Sequence, residues 1–262
     1  MFESTLQLPV SLALLLQDDI FHAPSTGELM RIIFRWVHFV AGITWIGMLY
    51  FFNLVNVDFM KALDAPTKKL VVPELMPRAL WYFRWGALLT VFAGLAYYAM
   101  YILKPDVVNQ NAAGGGANLL LVFLGWLVIA IVFWVIYFFL LPRLTKDGRV
   151  VAAMTAVLVI VMSVLIVWCL TDQLEHRGDN YASNKTLSIG IGGALGILML
   201  FNVWGIIWPA QKRIIAGTVS GEAAPPELAR RAFLASRTNA WLSLPMLFFM
   251  ATSHGDYVIL GK

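Results

Sequence analysis

Apolar residues gather into six long blocks along the chain, at about 36–57, 80–103, 118–141, 150–171, 187–208 and 238–255, with short polar stretches between them. A helix needs about 20 apolar residues to cross a hydrocarbon core. Blocks of that length with so few charges predict an all-α integral membrane protein, a bundle of six transmembrane helices over residues 29–262. A seventh run, Leu6–Leu16, is too short to cross and contains Pro9, so residues 1–28 are expected to form an interfacial segment. If Leu6–Leu16 did cross, the bundle would have seven helices and only the N-terminus would change sides. Asn109–Asn118, "NQNAAGGGAN", predicts a flexible connection. "PPELARRAFLASR" predicts a helix along the inner surface ahead of the last span, and Pro245 predicts a kink within that span.

Composition agrees with this pattern. The chain is 60% hydrophobic and 13% charged, where soluble domains carry about 25% charge. In such a chain a net charge of +4 marks topology rather than nucleic-acid binding. Thirteen of the 19 Lys and Arg residues fall in or beside the connections after the first, third and fifth blocks. The positive-inside rule therefore puts those connections in the cytoplasm and the C-terminus outside. The single cysteine, Cys169, excludes an internal disulfide or a thiolate cluster, and no C-x-x-C-H occurs for covalent haem attachment. The opening "MFEST" lacks a basic n-region, so the N-terminus is expected to be retained. No Asp or Glu lies deep in a block, which counts against a proton-coupled carrier.

The candidate chemistry is carried by histidine and arginine. Arg31, Arg35 and His38 fall at i, i+4 and i+7, and Gly42, Trp45, Leu49, Asn53 and Asn56 continue the same helical stripe. With the orientation above, all four histidines lie on the outer side. His22 is expected to be solvent-exposed. His176 is expected to pair with Asp172 at i, i+4, as a surface pair or as a line towards the site. His38 and His254 are the two at membrane depth. Two facing helices that each supply an imidazole can hold the iron of a haem b, with Arg31 and Arg35 binding its propionates or an anionic ligand. The alternatives are interfacial anchoring for the arginines, a structural hydrogen bond for His38 and a loop position for His254. Asn53 and Asn202 are candidates to pair across helices. "GMLYFFNLV" and "GILMLFNVW" echo each other, each with a glycine six residues before an asparagine.

The stretches "RWVHFVAGITWIGMLYFFNLVN", "RWGALLTVFAGL", "FNVWGIIWPAQKRIIAG" and "RRAFLASRTNAWLSLPMLFFMATSH" closely resemble the membrane domain of the PuuD-type urate hydroxylases, the cytochrome-linked urate oxidases of bacteria. The resemblance runs from about residue 30 to 254. It implies a multi-pass protein of the bacterial inner membrane that converts urate to 5-hydroxyisourate at a site towards the periplasm. Such proteins carry a C-terminal cytochrome c domain, and this sequence reaches Lys262 without one. The expected electron acceptor is therefore a separate c-type cytochrome. The other expected partners are membrane lipid and the anionic substrate urate, with the chain as a homo-oligomer or part of a larger complex. The shorter stretch "HFVAGITWIGMLY" is similar to the first helix of the HemJ-type protoporphyrinogen oxidases, which also implies a haem beside His38. The alternative activity is a non-catalytic haem b subunit that relays electrons in a respiratory membrane complex. A metal-free structural or transport subunit is a third.

Overall fold

A computed structural model describes residues 23–222, 224–254 and 258–261. Leu6–Leu16 and His22 lie outside the described residues. The chain divides into two compact units, 1–33 and 34–262. Within the first, Ser25 and Glu28 close a capping box: the Ser25 N–H and hydroxyl both donate to the Glu28 carboxylate at 2.8 Å, and the Glu28 N–H donates to Ser25 Oγ at 3.3 Å. Helix α1 (Thr26–Tyr50) starts there, ten residues before the apolar block that predicts it.

Past Tyr50 the helix widens into a π-helical stretch, Phe51–Asn56, and continues as α2 (Val57–Ala62). A second long rod comprises α3 (Ala65–Tyr97), a π-helical stretch Tyr98–Leu103 and α4 (Lys104–Ala112). Helices α5 (Leu119–Leu144) and α6 (Gly148–Gln173) are unbroken. A two-residue hairpin, β1 (Glu175–His176) with β2 (Asp179–Asn180), leads to α7 (Asn184–Asn202), the π-helical Val203–Ile207 and α8 (Trp208–Ser220). Helix α9 (Pro226–Thr252) closes the order. Five of these rods are long and apolar enough to cross a membrane. The sixth, α9, has the length, but Arg230, Arg231, Arg237 and Asn239 in its first half shorten its apolar part.

Three sequence expectations need correction. Asn109–Asn118 is not a loose loop, because α4 runs to Ala112 and Gln110, 4% exposed, ties the turn together. Its Oε1 accepts from the Ala117 N–H at 3.1 Å and its Nε2 donates to the Glu175 carbonyl at 3.2 Å. Pro-Pro-Glu begins the single rod α9 rather than a separate surface helix, because Ala232, Leu234 and Ala235 are buried against the bundle. The rod also runs through Pro245 without ending. Finally, α3 starts fifteen residues before its apolar block: the Asp64 carboxylate accepts from the Thr67 N–H at 2.9 Å, and Pro66 sits in the first turn, where its missing N–H costs nothing.

Helix α7 is the centre of the bundle. Its rod is 72% buried over its most apolar window, against 50% or less for the other four. In lipid, helices associate through close packing rather than a hydrophobic drive, and small residues permit that approach. "GIGGALG" supplies them. A Cβ on Gly190 would meet Leu170 of α6 at 2.9 Å, one on Gly192 the Met246 carbonyl of α9 at 3.2 Å, and one on Gly193 the Trp126 ring of α5 at 3.1 Å. Buried amides then link α9 to both echo segments. Asn53 Nδ2 donates to Ser236 Oγ, and Asn202 Nδ2 to Asn239 Oδ1, each at 2.9 Å. The two asparagines pair with α9, not with each other, and each lies in or against a π-helical stretch.

The ends of the bundle are distinct. At one end Arg230 Nε donates to the Thr145 carbonyl at 3.1 Å, and Lys69 Nζ lies beside Gly221. At the other, Asp106 accepts from both the N–H and the hydroxyl of Ser183 at 2.8 Å, and Asn184 reaches the Thr252 carbonyl at 3.1 Å. The thirteen clustered cations belong to the first end, and His254 to the second.

Candidate functional site

Helix α1 lies along a stripe of small residues on α3, and that stripe fixes the register of the site. Gly86, Thr90 and Gly94 recur at i, i+4 and i+8. A Cβ at Gly86 would meet the Trp45 nitrogen at 3.2 Å and the Ala41 carbonyl at 3.3 Å, so the backbones meet there. One turn along, a Cβ on Gly42 would lie 3.6 Å from Thr90 Cγ2. At the far end of the stripe His38 takes the space that a side chain on residue 94 would occupy: a Cβ there would be 2.8 Å from His38 Nδ1. Thr90 and Gly94 together form a socket for the imidazole.

His38 Nδ1 lies 2.8 Å from the Thr90 carbonyl oxygen. A carbonyl only accepts, so Nδ1 carries the proton and Nε2 the lone pair of the neutral ring. The bond fixes the ring's orientation and leaves Nε2 without the proton. His254, just past the end of α9, has Nδ1 2.7 Å from Ser253 Oγ. The same hydroxyl lies 2.7 Å from the Met250 carbonyl.

Both histidines border one cavity of about 420 Å³, between α1, α3, α5, α7 and α9. Helix α1 contributes Arg35, His38, Gly42, Trp45 and Gly47, and α3 contributes Thr90 and Gly94. Tyr98 and Trp126 close one side, and Gly193 and Gly196 of α7 face Met246 and Met250 of α9 across the remainder. The wall is almost wholly apolar, with polar groups concentrated on Arg35 and the two histidines. On α1 a Cβ on Gly47 would meet nothing within 4 Å, whereas on α7 one on Gly193 would meet the Trp126 ring at 3.1 Å and one on Gly196 the Met246 sulfur at 3.7 Å. Arg35 is exposed, its guanidinium 6.0 Å from the Phe39 ring centroid. The stripe read from sequence is thus the inward face of the helix, for Trp45, Leu49, Asn53 and Asn56 are all buried.

Arg31 belongs to the 1–33 unit and is exposed there. His176 does not make the expected ion pair with Asp172. Helix α6 ends at Gln173, so the i, i+4 geometry is lost and His176 enters β1. Lys61 pairs with Asp58 and Arg78 with Glu74. In the turn between the first two rods, the Thr67 side chain and N–H hold the exposed Asp64 carboxyl below the usual carboxylate range. No three metal-ligating side chains converge among the described residues. The Gly86–Thr90–Gly94 socket escaped the sequence reading, although the signal was present: three small residues four apart in "RWGALLTVFAGL".

A family model described as urate oxidase N-terminal matches residues 62–260. No curated protein and no solved structure matches the chain. The matched stretch holds Thr90, Gly94, the α7 and α9 walls and His254, and leaves Arg35, His38 and Trp45 outside it.

Proposed function

Because this chain belongs to the urate oxidase N-terminal family, we propose that it is a membrane-bound urate-oxidising redox protein whose reaction is centred on the cavity beneath His38. The observation that carries this reading is the meeting of Arg35, His38 and His254 on one apolar cavity, with the His38 Nδ1–H held by the Thr90 carbonyl.

The residues fit a haem b. His38, through Nε2, and His254 would hold its iron, and Gly42 and Gly47 of α1 would border the ring. When bound, the haem supplies one-electron redox capacity within the membrane. The chain's own residues do the remainder. Thr90 holds the His38 ring in the ligating tautomer, and Gly94 leaves the ring its place. Arg35, exposed at the rim, attracts anions, either the haem propionates or urate, which is an anion at neutral pH. The apolar wall keeps bulk water away from the bound molecules.

Urate gives up two electrons and two protons and adds one whole water to become 5-hydroxyisourate. The electrons pass singly to a c-type cytochrome. By the positive-inside rule the site faces the periplasm of a bacterial inner membrane, where such a cytochrome resides. The scarcity of acid–base side chains on the wall favours the second reading, in which the chain relays electrons through haem b without turning over urate.

One experiment separates the two. The purified protein is mixed with urate and an oxidised c-type cytochrome, and loss of urate is followed together with reduction of the cytochrome. Two cytochromes reduced per urate lost supports the enzyme. A haem b spectrum without urate-dependent reduction supports the relay, and no haem b spectrum at all refutes both.

A further inference from the structure

The basic end of the bundle carries a second constellation, where α3 meets α8. Arg84 of α3 lays its guanidinium over the Trp208 ring, 3.8 Å from the centroid, and 6.0 Å from that of Trp204. Lys212, one turn beyond Trp208 on α8, brings Nζ to 5.4 Å from the same Trp208 ring. Trp85 meets Trp204 edge-on at 5.6 Å, and Trp81 lies 6.4 Å from Trp85. Two cations thus share one indole inside an aromatic cluster.

Neither cation has a carboxylate within ion-pair reach among the described residues. The Nε of Arg84 is enclosed, whereas Nη1 and Nη2 stay open to the surroundings and have no hydrogen-bond partner among the described residues. The fork is held ready. Trp204 Nε1 donates to the Arg84 carbonyl at 3.3 Å, which ties α3 to the π-helical stretch Val203–Ile207, and stacking on Trp208 sets the plane of the guanidinium. A planar pair of open N–H donors beside a second cation matches the oxygens of a phosphate, and an anion there relieves the repulsion between the two like charges.

The neighbouring surface identifies where the phosphate comes from. Trp81 is 50% and Trp85 38% exposed, and farther along α3 Leu89 and Phe92 are 52% and 63% exposed. Residues 85, 89 and 92 fall at i, i+4 and i+7, so they form one apolar strip that leads from the cations towards the middle of the rod. A dissolved ion has no use for such a strip, whereas an acyl chain lies along it. Indoles at headgroup level beside basic side chains between helices are the chemistry that recognises anionic lipid.

We infer that Arg84 and Lys212 form a binding site for the phosphate of an anionic phospholipid, with its acyl chain along Trp85, Leu89 and Phe92. The site is separate from the cavity at His38, and its test needs neither haem nor urate.

The full chain, purified in mild detergent, is titrated with dioleoyl phosphatidylglycerol or dioleoyl phosphatidylcholine and followed by native mass spectrometry. Wild type is expected to bind phosphatidylglycerol about 10-fold more tightly than phosphatidylcholine. Arg84→Gln removes the charged fork but keeps the backbone carbonyl that Trp204 binds, and should weaken phosphatidylglycerol about 10- to 100-fold. Lys212→Gln, at an exposed position, should weaken it about 5-fold, and carries the test should Arg84→Gln fail to fold. Arg213→Gln, the exposed neighbour on the same helix, should leave the preference for phosphatidylglycerol intact. Equal binding of the two lipids by wild type overturns the inference, as do equal losses in all folded variants, which a diffuse basic surface would give. Displacement of phosphatidylglycerol by inorganic phosphate at constant ionic strength overturns the lipid assignment.

Discussion

Gly94→Ala tests the socket for His38 with one methyl group. The added Cβ would stand 2.8 Å from His38 Nδ1 and 2.9 Å from Cε1, where ordinary contacts begin at 3.4 Å. The ring must therefore retreat by about 0.6 Å, because the substituted residue lies on the same rigid helix as Thr90 and cannot itself withdraw. That retreat carries the 2.8 Å bond to the Thr90 carbonyl towards 3.4 Å, beyond the normal N–H···O range. The direct loss is about 0.5–1.5 kcal/mol, much of it offset by the about 0.5–1 kcal/mol that alanine gains over glycine in a helix. Overall stability should therefore change little. Metal affinity is more sensitive, since removing the outer hydrogen bond of a ligating histidine typically costs about 10- to 100-fold. The assay is haem b content and apparent affinity, by pyridine haemochrome and haemin titration, for wild type, Gly94→Ala and the control Gly116→Ala, whose new Cβ meets nothing within 4 Å. Unaltered haem affinity in Gly94→Ala would refute the reasoning, because a displaced ring cannot keep the same bond to iron.

Other expectations follow from the same geometry. His38→Ala should abolish the haem b spectrum while the protein still elutes as a folded particle on size exclusion; a retained spectrum would reject the ligand assignment. Asn239→Ala removes the acceptor of Asn202 Nδ2 and the donor to the Met199 carbonyl. With interhelical hydrogen bonds in membranes worth about 0.6 and at most about 1.7 kcal/mol each, unfolding in mixed micelles should show a loss of about 1–3 kcal/mol. Gly86→Val should force α1 off α3, since even one Cβ there meets backbone at 3.2 Å, and should lower thermal stability and haem content together. For topology, a cysteine introduced in place of Gly116 should react with a membrane-impermeant thiol reagent added outside intact cells, and one in place of Thr145 should not; the reverse labelling would invert the orientation.

Much of the fold was legible because its signals are local. Block length and sparse charge fixed the number of rods, and the one-sided stripe Arg35–His38–Gly42–Trp45 marked the inward face of α1 before any partner was known. What the pattern missed depends on contacts between distant segments. The helices overrun their apolar blocks because capping and aromatic contacts, not hydropathy, set their ends. Asp64 starts α3, and α8 carries its rod out to Ser220, with the Arg84 guanidinium stacked 3.8 Å from the Trp208 ring. Asn53 and Asn202 were visible as polar residues in apolar runs, yet their partners on α9 lie 183 and 37 residues away. His176 was misread because i, i+4 pairing presumes a helix, and α6 had already ended.

The extent of the family match adds one further step. It begins at residue 62, so the helix that carries His38 lies outside it. The groups that receive His38 lie inside: Thr90 supplies the acceptor for Nδ1, Gly94 the space for the ring, and Gly86 the contact that sets the register of α1. An imidazole held in one tautomer by a carbonyl, against a glycine that has no other close neighbour at that point, is a specific arrangement of two residues on α3, Thr90 and Gly94, around one on α1. Helix packing alone would be served by any apolar side chain at position 38, and at lower cost than a ring with two nitrogens to satisfy at membrane depth. Such a socket makes sense when the second nitrogen has work to do in the cavity. The matched segment therefore holds the residues of α3 that receive the His38 ring, while His38 itself enters on α1, ahead of the match.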